Sequence, residues 1–258
     1  MTSSQDTFHD LCRLRSTLEA FAATRLPGQA LRAQTLGRLK AHLAALKTCA
    51  RKGDYEAFHQ ADMALHQELV SSCEVPTLVE SWRTAARALD VEILAIKKEH
   101  WPSLMALYRE HELLFEAWSS NEVSVIEEAT HHHLEVGWYR QALAAGRLPE
   151  AGEAVDRVAS FLSAHYASAI DLEWVAANVA FMSSRHMARL FQERFGSSPY
   201  AWLRRHRLER AAQLLTTTDR DIAEVGRSVG YVNASHFARD FRRQTGLTPK
   251  AHRNIVRA

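Results

Sequence analysis

Acidic and imidazole side chains stand at metal-ligand spacing in the first half of the chain. Asp62 and His66 are four residues apart in ADMALHQEL, so a helix there projects both from one face. His111 lies in a second segment, YREHELLFEAW, and three consecutive histidines at 131–133 end a third. Facing helices of a bundle bring such groups together. One carboxylate and three imidazoles form a ligand set that suits zinc, nickel, manganese or iron.

Spacing by itself leaves alternatives open. Nine of the 14 histidines lie within the first 133 residues, and most of them are expected to face solvent or to form ordinary hydrogen bonds. The spacing does not select one histidine of the three at 131–133. An enzyme is the alternative from another class, because such a metal site can activate water. No separate general base stands near these residues in the sequence, so we expect no enzymatic activity.

The apolar period of helices runs through nearly the whole chain. The first segment that shows it steps by three and four through Leu11, Leu14, Leu18 and Phe21. No alternating strand pattern is convincing, and the chain has only 10 Gly and 6 Pro. The period is interrupted in ALAAGRLPEAGEA. We therefore predict an all-α protein with an N-terminal antiparallel helical bundle over 1–145, a linker over 146–154 and a second helical domain over 155–258.

Composition excludes several classes of protein. With 47% hydrophobic and 24% charged residues, the 258-residue chain is globular rather than disordered. Three cysteines without a CxxC pair argue against a disulfide scaffold and favour the cytoplasm. No apolar run approaches the ~18–20 residues of a membrane span, and the N-terminus lacks the order of a signal peptide. We expect no membrane partner.

Charge is unevenly divided between the two halves. Residues 151–258 hold 16 Lys and Arg against 10 Asp and Glu, whereas residues 1–150 hold 16 against 20. The second half is therefore basic although the whole chain has a net charge of only +2. A basic half joined to an acidic half indicates that one part meets a polyanion.

The basic half repeats itself at an offset of 50 positions. Ten positions are identical between the copies, and in the first copy they are Asp171, Val175, Val179, His186, Ala188, Arg189, Phe191, Gly196, Pro199 and Ala201. Each copy is typical of two helices joined by a short turn, with Ser183 or Asn233 capping the second helix. This is the architecture of a helix-turn-helix, whose second helix lies in the major groove of DNA. The segment between the copies predicts a helix of roughly 26–30 Å, which suits two successive grooves ~34 Å apart.

Residues 155–258 resemble the DNA-binding domain of the AraC/XylS family of bacterial transcription regulators. The segments that carry the resemblance are SSRHMARLFQERFGSSPYAWLRRHRLERAAQLL and DIAEVGRSVGYVNASHFARDFRRQTGLTPKAHR. The resemblance implies seven helices with two helix-turn-helix units, double-stranded DNA as partner and RNA polymerase as a further candidate partner. By motif position the expected DNA-binding residues are Ser184, Arg185, Arg189, Ser235, His236 and Arg239. Arg242 is a further candidate, expected to meet phosphates. Arginine suits guanine edges or phosphates, although Arg189 and Arg239 can instead brace neighbouring helices.

Residues 11–143 resemble the FCD effector domain of GntR-family regulators. The segments are LRSTLEAFAATRL, GDYEAFHQADMALHQELVSSC, SLMALYREHELLFEAW and EEATHHHLEVGW. The resemblance selects Asp62, His66, His111 and His133 as ligands of a divalent metal. Zinc is the first candidate, and nickel, manganese and iron are the alternatives. It implies a helical bundle whose effector is a small carboxylate. The Gly-Asn usual in that family after the second segment is replaced by residues 73–76, Cys-Glu-Val-Pro.

Three arginines are candidates to bind the carboxylate of an effector, because guanidinium pairs with carboxylate through two hydrogen bonds. They are Arg15, Arg83 and Arg87, and their alternative is an ordinary salt bridge. By analogy the bundle also forms a homodimer. Taken together, the sequence predicts a ligand-responsive, sequence-specific regulator of transcription. The alternative is a metal-dependent enzyme domain fused to a DNA-binding module.

Overall fold

The computed structural model describes residues 4–28, 30–101, 103–146 and 151–257. Within them the chain forms thirteen α-helices and one short 3₁₀ helix, and no residue of these ranges lies in a strand. The chain divides into two compact units, Met1–Pro149 and Glu150–Ala258. The prediction of an all-α protein is confirmed.

Six α-helices build the first unit. They are α1 (Ser4–Arg25), α2 (Arg32–Lys52), α3 (Tyr55–Ser71), α4 (Pro76–His100), α5 (Leu104–Trp118) and α6 (Val123–Ala144), with the 3₁₀ helix at Leu26–Gly28. Helix α1 packs along α6 and also contacts α3 and α4, while α2 packs on α3 and α5. Phe58, Trp82 and Trp118 are fully buried between them. Each such side chain contributes roughly 1.5–3 kcal/mol to folding.

The turn where the sequence departs from the FCD pattern keeps an unusual backbone. Glu74 has a φ of +55°, in the left-handed region that Gly and Asn adopt at little cost. Asp54 caps α3, since its side chain accepts a hydrogen bond from the Ala57 N–H at 2.9 Å. Glu74 therefore adopts a left-handed bend that its side chain makes less favourable.

Seven α-helices build the second unit. They are α7 (Ala151–Ala164), α8 (Leu172–Asn178), α9 (Ser184–Phe195), α10 (Pro199–Thr217), α11 (Ile222–Ser228), α12 (Ala234–Thr245) and α13 (Pro249–Arg257). The offset of 50 positions holds for the boundaries of α8 with α11 and of α9 with α12. The predicted caps at Ser183 and Asn233 accept hydrogen bonds from backbone N–H groups, and Gly196 and Gly246 end the helices in left-handed conformation. The duplicated helix-turn-helix is confirmed.

Part of the predicted linker is helical. Helix α7 begins at Ala151, so residues 151–154 belong to the second unit, and Ala154 is buried. Residues 147–150 lie outside the described residues. Gly152 signalled a break in the sequence, yet the first turn of a helix tolerates glycine because its N–H groups need no intrahelical partner. Gly146 does follow the end of α6, with a φ of +72°.

Arg207 on α10 ties the second helix-turn-helix to the loop after α7. Its guanidinium donates to the carbonyl oxygens of Tyr166 at 2.6 Å, Ser168 at 2.8 Å and Gly230 at 3.3 Å. Gly230 has a φ of +85°, and a Cβ there would lie 2.9 Å from both Arg207 Cζ and the Tyr166 carbonyl oxygen. Arg207 and Gly230 therefore fix the angle between α10 and the second helix-turn-helix.

Candidate metal centre and DNA-binding helices

Three helices of the bundle bring the predicted ligands together. Helix α3 supplies Asp62 and His66 from one face, α5 supplies His111 and α6 supplies His133. One potential ligand atom from each side chain lies within 4.8 Å of the others. His111 Nε2 donates to Asp62 Oδ1, and His66 Nε2 lies 3.4 Å from the same oxygen. The geometry therefore gathers the four residues that the FCD resemblance selects.

The run of histidines at 131–133 divides as helical geometry requires, because successive residues are ~100° apart around a helix. His133 points into the cluster, with ring centroids 4.4 Å from His111 and 5.3 Å from His66. His131 instead shares a hydrogen bond of 2.8 Å with Ser16 Oγ on α1. Only His133 of the three lies in the cluster.

Glu19 on α1 supports the cluster from behind. Its Oε2 accepts from His66 Nδ1 at 2.5 Å, and its Oε1 accepts from Arg15 Nε and Trp82 Nε1, both at 2.7 Å. Because Glu19 engages Nδ1 of His66, the Nε2 of that ring faces Asp62. His111 is held in the same way, since its Nδ1 is 2.9 Å from the Leu107 carbonyl oxygen. Such outer partners orient imidazole ligands and raise their basicity.

Lys97 on α4 neutralises the carboxylate of the cluster. Its Nζ donates to Asp62 Oδ2 at 2.6 Å and to His59 Nδ1 at 3.0 Å. His59 in turn donates through Nε2 to Asp90 Oδ1 at 2.9 Å. Lys97 is 4% exposed, so this charge is compensated by Asp62 and not by water. Asp62 Oδ1 remains turned toward the histidines.

The sequence analysis missed both supporting residues, although one left a signal. Glu19 follows Arg15 by four residues, at positions where α1 packs on its neighbours. A charged pair at core spacing on a helix indicates a polar interior. Lys97 left no such signal, because its partners lie 35 and 38 residues away on α3.

The electrostatics of the cluster favour ionised carboxylates and neutral His133. Burial opposes ionisation of Asp62, but Lys97 and His111 hold its pKa well below the ordinary value. Burial likewise opposes ionisation of Glu19, and His66 and Arg15 lower its pKa to about 2. Burial, reinforced by the two other histidines, lowers the pKa of His133 well below the ordinary value. His133 therefore keeps a nitrogen lone pair.

The donor set fits a divalent cation. His133 Nδ1 is shut off from solvent and has no hydrogen-bond partner, which is costly for a buried polar atom. The Nε2 atoms of His66 and His111 both face Asp62 Oδ1. A cation between these three atoms would take the place of the hydrogen atoms through which the two rings contact the carboxylate. Three imidazoles and one carboxylate form a mixed nitrogen and oxygen ligand set that zinc and its neighbours accept.

A cavity of about 50 Å³ adjoins the cluster. Arg15 and Lys97 line it beside the four predicted ligands, so its polar end carries two cations. Arg83 pairs with Glu80 at 2.7 Å on the outside of α4, and Arg87 is exposed. Neither belongs to the cavity wall. Of the three arginines proposed for an effector, the structure brings only Arg15 to the cluster.

The predicted DNA-binding residues lie on the surface of α9 and α12. Arg185 and Arg189 are exposed on α9, with Ser184 half-buried in its first turn. Arg189 forms an ion pair of 2.7 Å with Glu193, one turn further along the same helix. The opposite face of α9 buries Met187 and Phe191.

Helix α12 likewise has one polar exposed face and one buried apolar face, and its exposed face is more positively charged. Its exposed predicted residues are Ser235, His236, Arg239 and Arg242, while Phe237 and Phe241 are fully buried. Arg239 Nε is 4.0 Å from Asp240 Oδ1, with the arginine side chain 69% exposed. Arg239 therefore keeps most of its guanidinium free for an external partner.

No helix within the described residues combines the length and the apolar character that a membrane span requires.

Two protein families account for the two units. Residues 10–136 match the FCD domain family, and residues 176–255 match a helix-turn-helix domain family. The chain therefore carries an FCD domain followed by an AraC-type helix-turn-helix domain. The two resemblances stated from the sequence are confirmed.

Characterised relatives share part of the chain. The regulatory protein PocR of Salmonella typhimurium is 33% identical over 96 residues, which cover 37% of this chain and 31% of PocR. The arabinose operon regulatory protein of Escherichia coli is 35% identical over 106 residues, which cover 41% of this chain and 36% of that protein. The chain thus spans about a third of the length of the curated relatives it matches.

Solved structures match a similar share of this chain. The DNA-binding domain of AdpA, solved in complex with a target DNA, is 34% identical and has a TM-score of 0.39. That match covers 40% of this chain and 92% of the AdpA chain. A probable AraC family regulator from Rhodopseudomonas palustris is 32% identical with a TM-score of 0.38, covering 41% of this chain and 99% of that chain.

Proposed function

We propose that this protein is a transcription regulator whose C-terminal unit reads DNA and whose N-terminal bundle senses a small carboxylate at a divalent-metal site. The observation that carries the proposal is the duplicated helix-turn-helix with arginines on the outer faces of α9 and α12. The relatives named above are regulatory proteins and support it.

DNA recognition divides between base and backbone contacts. Arg185 and Arg239 bind guanine edges through two hydrogen bonds each, because both guanidinium groups are exposed on recognition helices. Arg189 contributes less, since its ion pair with Glu193 must open first. Ser184, Ser235, His236 and Arg242 complete the contacts to bases and phosphates.

The bundle senses its effector beside the metal. Asp62, His66, His111 and His133 hold the cation, with zinc the first candidate and nickel, manganese or iron the alternatives. The cation supplies a Lewis-acidic site for oxygen ligands. Arg15 and Lys97 orient a carboxylate toward that site, and the apolar walls of the cavity exclude water.

The effector acts by shifting a conformational equilibrium. It changes DNA binding only if it binds one arrangement of the chain more tightly than another. Coupling energies of this kind are about 1–3 kcal/mol, or roughly 5–150-fold in affinity.

Dimerisation through α1 completes the proposal. Leu14 and Phe21 are each 48% exposed on α1, seven residues apart on one face. Antiparallel pairing of α1 with its copy sets Leu14 against Phe21 of the partner subunit. The same register sets Asp10 against Arg25 of the partner subunit, so opposite charges flank the apolar contact. Light scattering tests this: wild type should be dimeric and Leu14→Glu/Phe21→Glu monomeric.

DNA binding is tested by selecting a binding sequence from random DNA with the full chain and measuring its affinity by fluorescence anisotropy. We expect the affinity for selected DNA to exceed that for random DNA by about 10³-fold or more. We also expect log K to fall linearly with log salt concentration, because phosphate contacts release counterions. Equal affinity for both DNAs would overturn the proposal.

A further inference from the structure

A fully exposed valine stands at the entry to the second recognition helix. Val232 directly precedes Asn233, the cap residue of α12, and its side chain is 101% exposed. No other large apolar side chain among the described residues is as exposed. Single exposed apolar residues are common on protein surfaces. The position of Val232 is therefore more informative than its exposure.

Val232 has no packing role in the helix-turn-helix. An apolar residue directly before a helix cap often packs on the fourth residue of the helix, which here is Phe237. Phe237 is covered instead by Tyr231, whose ring centroid is 5.4 Å away. On α11, a Cβ at Gly226 would lie 2.9 Å from the Phe237 ring, so the two helices already meet closely there. Val232 stays outside this core, and a smaller residue in its place should leave the fold intact.

The segment that carries Val232 is held in a defined position at the start of α12. The side-chain oxygen of Asn233 accepts hydrogen bonds from the backbone N–H groups of Ser235 at 2.8 Å and His236 at 3.1 Å. Tyr231 is held as well, because its backbone N–H donates to the Gly226 carbonyl oxygen at 2.9 Å. Val232 lies between these two anchored residues.

This end of a recognition helix is the part that approaches base edges in the major groove. Ser235 and His236 are exposed in the first turn of α12, and Ala234 beside them is exposed and apolar. The sugar-phosphate backbone is contacted by polar and charged side chains, which a valine cannot replace. The C5-methyl of thymine is the apolar group that the bases present in the major groove. An exposed valine at this place therefore suits thymine.

The first helix-turn-helix differs at the corresponding positions. At the offset of 50, Val232 corresponds to Met182, which is half-buried, and Ala234 corresponds to Ser184. The first copy thus presents a less exposed apolar residue and a hydroxyl where the second copy presents two exposed apolar side chains. We therefore expect the preference for thymine in the part of the DNA that α12 binds.

We propose that Val232 contacts the C5-methyl of a thymine, so that the protein prefers thymine at one base pair bound by α12. This inference rests on the proposed function, because it assumes that α12 lies in the major groove. Val232 is then a specificity-determining residue that acts through an apolar contact, beside the hydrogen-bonding side chains of the same helix end.

The test removes the two contacting groups separately and together. Each thymine of the selected DNA is replaced in turn by deoxyuridine, which lacks only the C5-methyl. Affinities are measured by fluorescence anisotropy at one salt concentration with full-length wild type, Val232→Ala and Val232→Ile. Val91→Ala is the matched control, because Val91 is 81% exposed on α4 of the bundle.

At one thymine, deoxyuridine should weaken wild-type binding about three- to fourfold, the contribution of one buried methyl group. Val232→Ala should bind both DNAs about as tightly as wild type binds the deoxyuridine DNA. Val232→Ile keeps the apolar contact and should retain the preference, as should Val91→Ala.

Two results would overturn the inference while leaving DNA recognition intact. One is a wild-type affinity that no deoxyuridine replacement changes, and the other is an equal loss on replacement in wild type and Val232→Ala. Equal wild-type affinity for selected and random DNA would instead overturn the proposed function itself.

Discussion

The two units of the chain differ in where their notable charged side chains lie: several are buried inside the bundle, whereas those of the C-terminal unit are on its surface. In the bundle, Arg15, Glu19, Asp62 and Lys97 are at most 4% exposed, and every one of them has an oppositely charged partner inside. Burying charge is unfavourable unless it is paired, so these ion pairs hold the four side chains in fixed positions.

The C-terminal unit reverses the arrangement. Phe191, Phe237 and Phe241 are fully buried in its interior, while the arginines of α9 and α12 face outward. Its function therefore depends on a surface held by an apolar core. This difference matches the proposed function, in which the bundle binds a small ligand among buried polar groups and the second unit binds DNA, which is too large to enclose.

The largest effect is expected from breaking the charge balance inside the bundle. Asp62→Ala leaves the Lys97 ammonium buried without its carboxylate and should lower the free energy of unfolding by about 3–5 kcal/mol. Urea denaturation of metal-free protein measures this. Asp54→Ala, which removes an exposed helix cap, is the control and should cost about 1 kcal/mol.

A second prediction concerns the removal of both charges of the Asp62–Lys97 pair. Asp62→Asn/Lys97→Met removes both charges and should be more stable than Asp62→Ala. If Asp62→Ala unfolds at the same urea concentration as Asp54→Ala, the pair does not hold the interior together.

A smaller effect is expected from the support behind His66. Glu19→Gln keeps the shape of the side chain but loses the charge that orients the ring, so zinc affinity should fall about 10–100-fold. Competition with a chromogenic chelator measures it. Glu68→Gln, whose carboxylate pairs with Arg38 at the surface, should leave zinc affinity unchanged, and an equal loss in both variants would refute a special role for Glu19.

On the outer surface of the second unit, Arg239→Ala should weaken binding to selected DNA by about 1–3 kcal/mol and reduce discrimination at one base position. Arg13→Ala is the control, because it removes an exposed arginine from the bundle instead. Loss of random-DNA binding by the same factor would show that Arg239 contacts phosphate only.

The smallest effect is expected from chemical labelling of the cysteines, which tests how well the bundle shields Cys12 from solvent. Burial raises the pKa of the Cys12 thiol to about 12, so at pH 8 about one thiol in ten thousand is ionised. Iodoacetamide followed by mass spectrometry should modify half-buried Cys49 well before Cys12. Because the pKa is raised, the thiolate fraction of Cys12 rises about tenfold for each pH unit across pH 7–9. Rapid labelling at pH 7 would contradict the burial of this thiol.

Sequence reasoning succeeded where information was local or repeated. The helix caps at Ser183 and Asn233 follow from residue type, and the offset of 50 positions recurs in the boundaries of the paired helices. The four clustered ligands needed the FCD resemblance, because spacing did not choose among the histidines at 131–133.

The remaining features depend on contacts between distant segments. Lys97 reaches Asp62 across 35 positions, and Arg207 reaches Tyr166 across 41. Arg83 and Arg87 were equal to Arg15 as sequence candidates, and only the packing of α4 turns them away from the cavity. No local pattern carries such information.

The central claim is that occupancy of the enclosed site changes recognition at the outer surface. Affinity of the full chain for its selected DNA, measured with and without zinc and acetate, tests this most directly. The account predicts a change of at least about fivefold in wild type and none in His66→Ala. Identical affinity in wild type under every condition would contradict it.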